Sequence, residues 1–84
     1  MPTISVFYGI RIVMYLRDKE HNPPHVHAIY GEQAAAFLIS SGDILKGTFP
    51  KRGEKLVKEF IERYRTELLA MWNGEPYRPL KGLD

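Results

Sequence analysis

The order of apolar and polar residues divides the chain into two halves with different periods. In the first half, extended patterns cover residues 3–17, 25–30, 34–40 and 44–49, and turn-rich segments separate them. Gly9 marks a bend or bulge within the first of these patterns. Because such short connections cannot hold crossover helices, the pattern predicts an antiparallel meander.

Beyond Pro50 the apolar residues recur mostly at three- and four-residue steps, which is the period of an amphipathic helix of roughly six turns. Pro50 lies near the start of this helix and Gly74 lies just past its end, where each is favoured. Gly53 is a weak position in the first turns, because glycine disfavours a helix. The side chains predicted to pack on the sheet are Val57, Phe60, Ile61, Tyr64, Leu68 and Trp72.

These elements predict an α+β domain, in which an antiparallel β-meander of four to five strands packs against one long C-terminal helix. We assign residues 1–74 to this single domain and residues 75–84 to an irregular C-terminal tail. A chain of 84 residues buries only about 60–65% of the surface that its unfolded form exposes. Stability shared with a partner, such as the second copy of a homodimer, is compatible with so small a core.

The composition narrows the chemistry and the compartment. The sequence contains no cysteine, which excludes disulfides, cysteine nucleophiles and cysteine-ligated zinc. No stretch is apolar for long enough to span a membrane, and the segment from Met1 to Ser5 lacks the basic region of a signal peptide. We therefore expect a cytoplasmic protein. The net charge of +2 is compatible with nucleic acid or an acidic protein as the partner.

All three histidines of the chain lie within one heptapeptide, His21-Asn22-Pro23-Pro24-His25-Val26-His27. Histidine titrates closest to neutrality and is the commonest metal ligand, so the cluster indicates proton transfer or metal binding. The two prolines impose an extended lead-in before a strand. If residues 25–30 form that strand, alternation places His25, His27 and Ile29 on one face. We expect the histidines to lie on the uncovered or edge side of the sheet, away from the helix.

One interpretation of the cluster is acid–base catalysis on RNA without a metal. Two neighbouring imidazoles in opposite protonation states would remove a proton from a 2′-hydroxyl and give one to the departing 5′-oxygen. His25 and His27 would form this pair, and His21 would orient one of them. Arg17 or Lys19 would hold the phosphate.

A second interpretation is a metal site, in which His21, His25 and His27 supply three imidazoles to zinc or another divalent metal. Asp18, Glu20 or water would complete the coordination shell. A third interpretation is structural: His21 and His25 bond backbone groups around the Pro-Pro turn, and His27 is a half-buried residue of the sheet. The residue pattern leaves all three interpretations open.

Aromatic and basic residues suggest a second kind of site. Tyr8, Tyr15 and Tyr30 with Arg11 and Arg17 would form a platform on which bases stack and phosphates pair. Aromatic residues are nevertheless ordinary in strands, and the signature of the RNA-recognition sheet is absent. The basic residues at the start of the predicted helix are Lys51, Arg52, Lys55 and Lys58. They are equally typical of a solvated helix face.

The sequence also resembles a family of short bacterial proteins, the domain of unknown function 4160, from residue 1 to residue 73. The residues that carry the resemblance are Met1 to Ser5, Tyr8-Gly9, the histidine heptapeptide with Ala28, Tyr30-Gly31, Gly47, Pro50, Arg52, Leu56-Val57, Glu67-Leu68 and Trp72. The resemblance implies a toxin–antitoxin module in which this chain is an RNA-cleaving toxin and a cognate antitoxin is its partner. The candidate site residues that carry over are His21, Asn22, His25, His27 and Tyr30.

The favoured hypothesis is therefore a toxin-like ribonuclease that needs no cofactor. Its predicted catalytic residues are His21, His25 and His27, and its predicted substrate-binding residues are Arg17, Lys19, Asn22 and Tyr30. The first alternative is a non-catalytic module that binds a protein or DNA. The second alternative is a metal-dependent hydrolase in which the three histidines hold zinc or another divalent metal.

Overall fold

The computed structural model describes residues 3–15 and 23–84, which form five β-strands and one α-helix. The elements are β1 (Thr3–Phe7), β2 (Ile10–Val13), β3 (His25–Tyr30), β4 (Gln33–Leu38), β5 (Ile44–Gly47) and α1 (Lys51–Trp72). The strands make one antiparallel sheet in the order β1-β2-β3-β4-β5. The predicted α+β meander followed by one long C-terminal helix is confirmed.

The first predicted extended segment is in fact a hairpin of β1 and β2. The chain reverses at Tyr8 and Gly9, whose φ angles are +50° and +78°. Two consecutive positive φ angles are typical of the two-residue hairpin turn that matches the twist of its strands. The turn is hard to recognise in the sequence, because tyrosine rarely occupies such a position.

Strands β4 and β5 are shorter than their predicted patterns, and β5 ends at Gly47 rather than Phe49. The φ angle of Gly47 is +98°, and a Cβ at this position would lie 2.6 Å from the carbonyl oxygen of Ala34. Only glycine fits so close to the neighbouring strand in this conformation. The chain leaves the sheet here, and the side chain of Phe49 is buried in the core.

The helix has the limits and the buried face that its apolar period predicts. It runs from Lys51 to Trp72, directly after Pro50 and before Gly74. Its buried residues are Gly53, Val57, Phe60, Ile61, Leu68, Met71 and Trp72. Tyr64 is partly buried against the core, and its backbone angles of φ −115° and ψ 22° mark a kink in the helix.

The core lies between α1 and one face of the sheet. The sheet contributes fully buried side chains from several strands, among them Ile12, Val26 and Ala28. The ring centroids of Phe7 on β1 and Phe60 on α1 lie 5.0 Å apart in a stacked arrangement. Apolar burial of this kind is the main stabilising contribution available to a small domain without disulfides.

The C-terminal tail, residues 75–84, contains neither helix nor strand, yet it packs against β1. The Leu80 amide donates a hydrogen bond of 2.7 Å to the carbonyl oxygen of Ile4, and the Leu80 side chain belongs to the core. Further along the tail, a carboxylate oxygen of Asp84 accepts a bond of 3.3 Å from the Tyr8 amide. The tail therefore covers part of the edge that β1 would otherwise expose.

Candidate functional site

Strand β3 positions the two histidines that the structure describes. Val26 and Ala28 are fully buried on the helix side of the sheet, so alternation places His25 and His27 on the opposite face, as predicted. His27 lies opposite Val13 on β2 and Ala36 on β4. Both histidines therefore belong to the central strand of the sheet and lie far from its edges.

The His25 ring is held from several sides. Its Nδ1 atom lies 2.8 Å from the carbonyl oxygen of Pro23, and only 4% of the residue is exposed. A carbonyl oxygen only accepts hydrogen bonds, so Nδ1 carries the proton and donates it.

The two histidines are the middle members of a row of four aromatic rings. Ring centroids are 4.5 Å apart for Tyr15 and His27, 5.1 Å for His27 and His25, and 5.1 Å for His25 and Trp72. We call these four residues the histidine row. The sequence assigns Tyr15 to the platform and Trp72 to the core, and it gives no sign that either ring contacts a histidine.

The surroundings of the histidine row differ from the expected uncovered or edge position. His25 is buried, and its ring contacts Trp72 at the end of the helix, although the two residues are far apart in sequence. His27 is half-buried and is the more accessible of the two rings. The bond from His25 to Pro23 and the partial burial of His27 are both features of the structural interpretation.

Four predicted site residues, Arg17, Lys19, His21 and Asn22, lie outside the residues that the structure describes. The predicted phosphate contacts and the three-histidine metal site therefore stay predictions. Within residues 3–15 and 23–84, no group of three or more histidine, aspartate or glutamate side chains is placed to share a metal ion.

Tyr30, which the sequence assigns to the same site, lies apart from the histidine row. It is at the opposite end of β3 from His25, about 16 Å away at the usual rise of a strand. Alternation also places it on the other face of the sheet, with Val26 and Ala28. Among the described residues of the predicted site, the structure therefore separates Tyr30 from His25 and His27.

Tyr30 instead borders a cavity of about 710 Å³ at the end of the sheet nearest the start of α1. Tyr8 lines the same cavity, together with Arg52 and Lys55 from the first turns of the helix. We call this region the tyrosine groove. The predicted aromatic platform is thus divided, because Tyr8 and Tyr30 meet at the groove whereas Tyr15 belongs to the histidine row.

Arg11, the other platform residue within the described segments, is not on the groove side of the sheet. It is exposed on β2 directly after Ile10, which lines the groove, so the two side chains project to opposite faces. The cations that do line the groove come from the helix. In the sequence these cations are typical of a solvated helix face, because nothing local indicates the tyrosines opposite them.

Comparison with known proteins identifies the family of the chain. A model of the Domain of unknown function (DUF4160) matches residues 9–73, and the chain therefore belongs to this family. No curated protein and no solved structure matches the chain. Within the described residues, α1 is not apolar enough over a sufficient length to cross a membrane.

Proposed function

We propose that this protein is the toxin-like component of a bacterial toxin–antitoxin module and that it cleaves RNA in the cytoplasm. The observation that carries the proposal is the pair of imidazole rings, 5.1 Å apart, on one face of β3. The association with an antitoxin follows from the family resemblance. The acid–base chemistry follows from the two rings, and it needs no cofactor.

The two histidines form the proposed acid–base pair. His27, which is half-buried, is the more accessible member of this pair. His25 is buried, and its bond to Pro23 fixes the ring beside His27, so we propose that it serves as the second acid–base group. Arg17 or Lys19 would hold the phosphate, and His21 and Asn22 would complete the site.

The proposed reaction is transesterification within the RNA strand. The base removes the 2′-hydroxyl proton, the 2′-oxygen forms a bond to phosphorus, and the bond from phosphorus to the 5′-oxygen breaks. The departing 5′-oxygen takes a proton from the acid, which leaves a 2′,3′-cyclic phosphate and a 5′-hydroxyl. A positioned acid or base contributes about 10²–10⁴-fold to such a rate.

The test is RNA cleavage by the purified protein, with identification of the product ends. His27→Asn should reduce the rate at least 100-fold, on the scale of one acid–base group. Ile29→Val, a conservative change at the next position on the same strand face, is the matched control and should leave the rate unchanged. Equal rates for wild type and His27→Asn would contradict the assigned role.

Metal dependence separates this proposal from the metal-dependent hydrolase. With excess chelator, the metal-free mechanism retains full activity and gives a bell-shaped pH profile, because one imidazole must be neutral and the other charged. Loss of activity with chelator and recovery with zinc would instead favour His21, His25 and His27 as ligands. Expression in a bacterial host adds a cellular readout, since growth arrest should depend on His27.

The second candidate function is a binding module without catalysis. The observation that favours it is the tyrosine groove, which combines exposed aromatic rings and cations at a distance from every described histidine. Purified protein that binds a nucleic acid or a partner protein and cleaves no RNA would support this candidate over the ribonuclease.

A further inference from the structure

We infer that the tyrosine groove binds single-stranded nucleic acid, with a base stacked on Tyr8 or Tyr30 and its phosphate held by Arg52 and Lys55. The groove lies at the opposite end of β3 from His25, and alternation places Tyr30 on the other face of the sheet from both histidines, so the groove is a separate site. The inference concerns binding alone and does not depend on RNA cleavage.

The backbone conformation and the exposure of Tyr8 together are the first observation that indicates a ligand. It adopts a φ angle of +50°, in the left-handed region where asparagine, aspartate or glycine would be less strained. Its side chain is 56% exposed, so burial of the ring does not compensate for this backbone conformation. A strained position occupied by an exposed aromatic side chain indicates that the ring serves function rather than folding.

The second observation that indicates a ligand is that the ring of Tyr30 is held in place and remains accessible. The residue is 46% exposed. One side of the ring lies over Gly9, where an added Cβ would be 3.2 Å from the ring atom Cε1. Phe49 contacts the ring edge-on, with a centroid distance of 6.5 Å. A ring oriented in this way loses little further freedom when a base stacks on it.

The charges of the groove favour an anionic ligand. Arg52 and Lys55 are exposed on the first turns of α1. Among the described residues that line the groove, Glu59 is the only one with a carboxylate. The carboxylate of Asp84, which bonds to the Tyr8 amide, is not part of this lining. Guanidinium groups pair well with phosphate oxygens, and the start of a helix adds positive potential. The volume of about 710 Å³ is within the range that small organic ligands occupy.

Flat aromatic rings next to cations are the combination that single-stranded nucleic acids require. Bases of any sequence stack on such rings, while a positive groove follows the phosphates. An acidic peptide would use the same cations, but its acidic side chains have no flat ring to stack on the two exposed tyrosines. We therefore commit to a nucleic acid as the occupant.

Binding is measured by fluorescence anisotropy with a labelled 2′-O-methyl RNA of about six nucleotides, a length typical of such sites. This probe has no free 2′-hydroxyl, so binding is read without cleavage. Tyr8→Asn should weaken binding about tenfold, by the loss of one stacking contact. The same change should raise the melting temperature, since asparagine tolerates the left-handed conformation. A purely structural role for Tyr8 predicts unchanged binding.

Two further variants keep the test decisive. Tyr30→Leu retains an apolar side chain and should also weaken binding about tenfold, which covers the case in which Tyr8→Asn fails to fold. Arg52→Gln should weaken binding and reduce its salt dependence by about one phosphate contact. Lys81→Gln, which removes an exposed cation of the tail outside the groove, is the matched control and should do neither.

The outcomes separate this inference from the proposed function. If the protein binds the 2′-O-methyl probe normally but cleaves no RNA, the result supports nucleic-acid binding by the groove and contradicts only the proposed ribonuclease activity. Unchanged affinity for the probe in both tyrosine variants overturns the inference that the groove binds nucleic acid. Binding of a polyglutamate peptide in place of the probe also overturns it and indicates an acidic protein as the occupant.

Discussion

Gly53 shows how packing reverses a local preference. Glycine in a helix is less favourable than alanine by about 1 kcal/mol. At this position, however, a Cβ would lie 2.6 Å from Cε2 of Phe49. The Phe49 ring is buried and contacts Phe37 edge-on with centroids 5.6 Å apart, so it cannot move away freely. The residue that looks weak in the sequence is therefore required by the core.

Gly53→Ala should lower the free energy of unfolding by roughly 1–2 kcal/mol, because overpacking outweighs the gain in helix propensity. Urea denaturation measures the change. In a Phe49→Leu background the smaller side chain relieves the clash, and the same substitution should cost less or become stabilising. A more stable Gly53→Ala variant in the wild-type background would show that the helix start can shift.

The burial of His25 changes the expected effect of its substitution. The exposed position expected from the sequence would let His25→Ala keep the fold intact. Its actual burial and its contacts with Trp72 and Pro23 predict a loss of about 2 kcal/mol, since the change leaves a cavity. Thermal unfolding should therefore distinguish His25→Ala from His27→Ala, which removes a half-buried ring and should cost less. Equal melting temperatures for the two variants would contradict this difference.

At the scale of elements, the end of α1 is joined to the start of β3. Trp72 is only 7% exposed and its ring lies 5.1 Å from that of His25, so the end of the helix contacts the first residue of β3. Arg65 adds a second link, because its Nε donates a bond of 2.8 Å to the carbonyl oxygen of Ile39, just after β4. The position of the helix thereby determines the environment of the histidine row.

Trp72→Ala should destabilise the domain by about 3–5 kcal/mol, a large part of the stability of so short a chain. Denaturation followed by circular dichroism gives the change. Trp72→Phe keeps an aromatic ring and should lose much less. If Trp72→Ala melts at the wild-type temperature, the proposed contact between the helix end and β3 is wrong.

At the scale of the whole molecule, the tail completes the core. Leu80 is only 8% exposed and its amide bonds to β1. Leu80→Ala should lower the free energy of unfolding by about 2 kcal/mol, near the lower limit for buried leucines. Lys81→Ala changes an exposed neighbour and should have little effect. Equal urea midpoints for the two variants would mean that the tail does not dock stably in solution.

The same tail predicts a dependence of stability on alkaline pH. Burial raises the pKa of the Tyr77 hydroxyl above its usual value of 10.0. The unfolded chain therefore loses this proton first, so the contribution to stability is present below pH 10.0 and falls as the pH rises further. Tyr77→Phe should show a smaller fall in stability above that pH when unfolding is measured across the alkaline range.

The sequence by itself determined the elements whose signal is local. Helix α1 has an apolar period and boundary residues within its own segment, and β3 follows directly from the prolines before it. The short connections also fixed the antiparallel order of the strands. The shared face of His25 and His27 is equally local, because alternation along a strand depends only on sequence spacing.

Only the tertiary structure decided what surrounds these residues. The turn at Tyr8 and Gly9 opposes the local preference of tyrosine, and it forms because β1 and β2 both bury apolar side chains against the helix. His25 contacts Trp72, although the two residues are far apart in sequence. Tyr8 and Tyr30 line the same groove, and they too are distant in sequence. Such contacts depend on how the helix crosses the sheet, and no local pattern encodes that geometry.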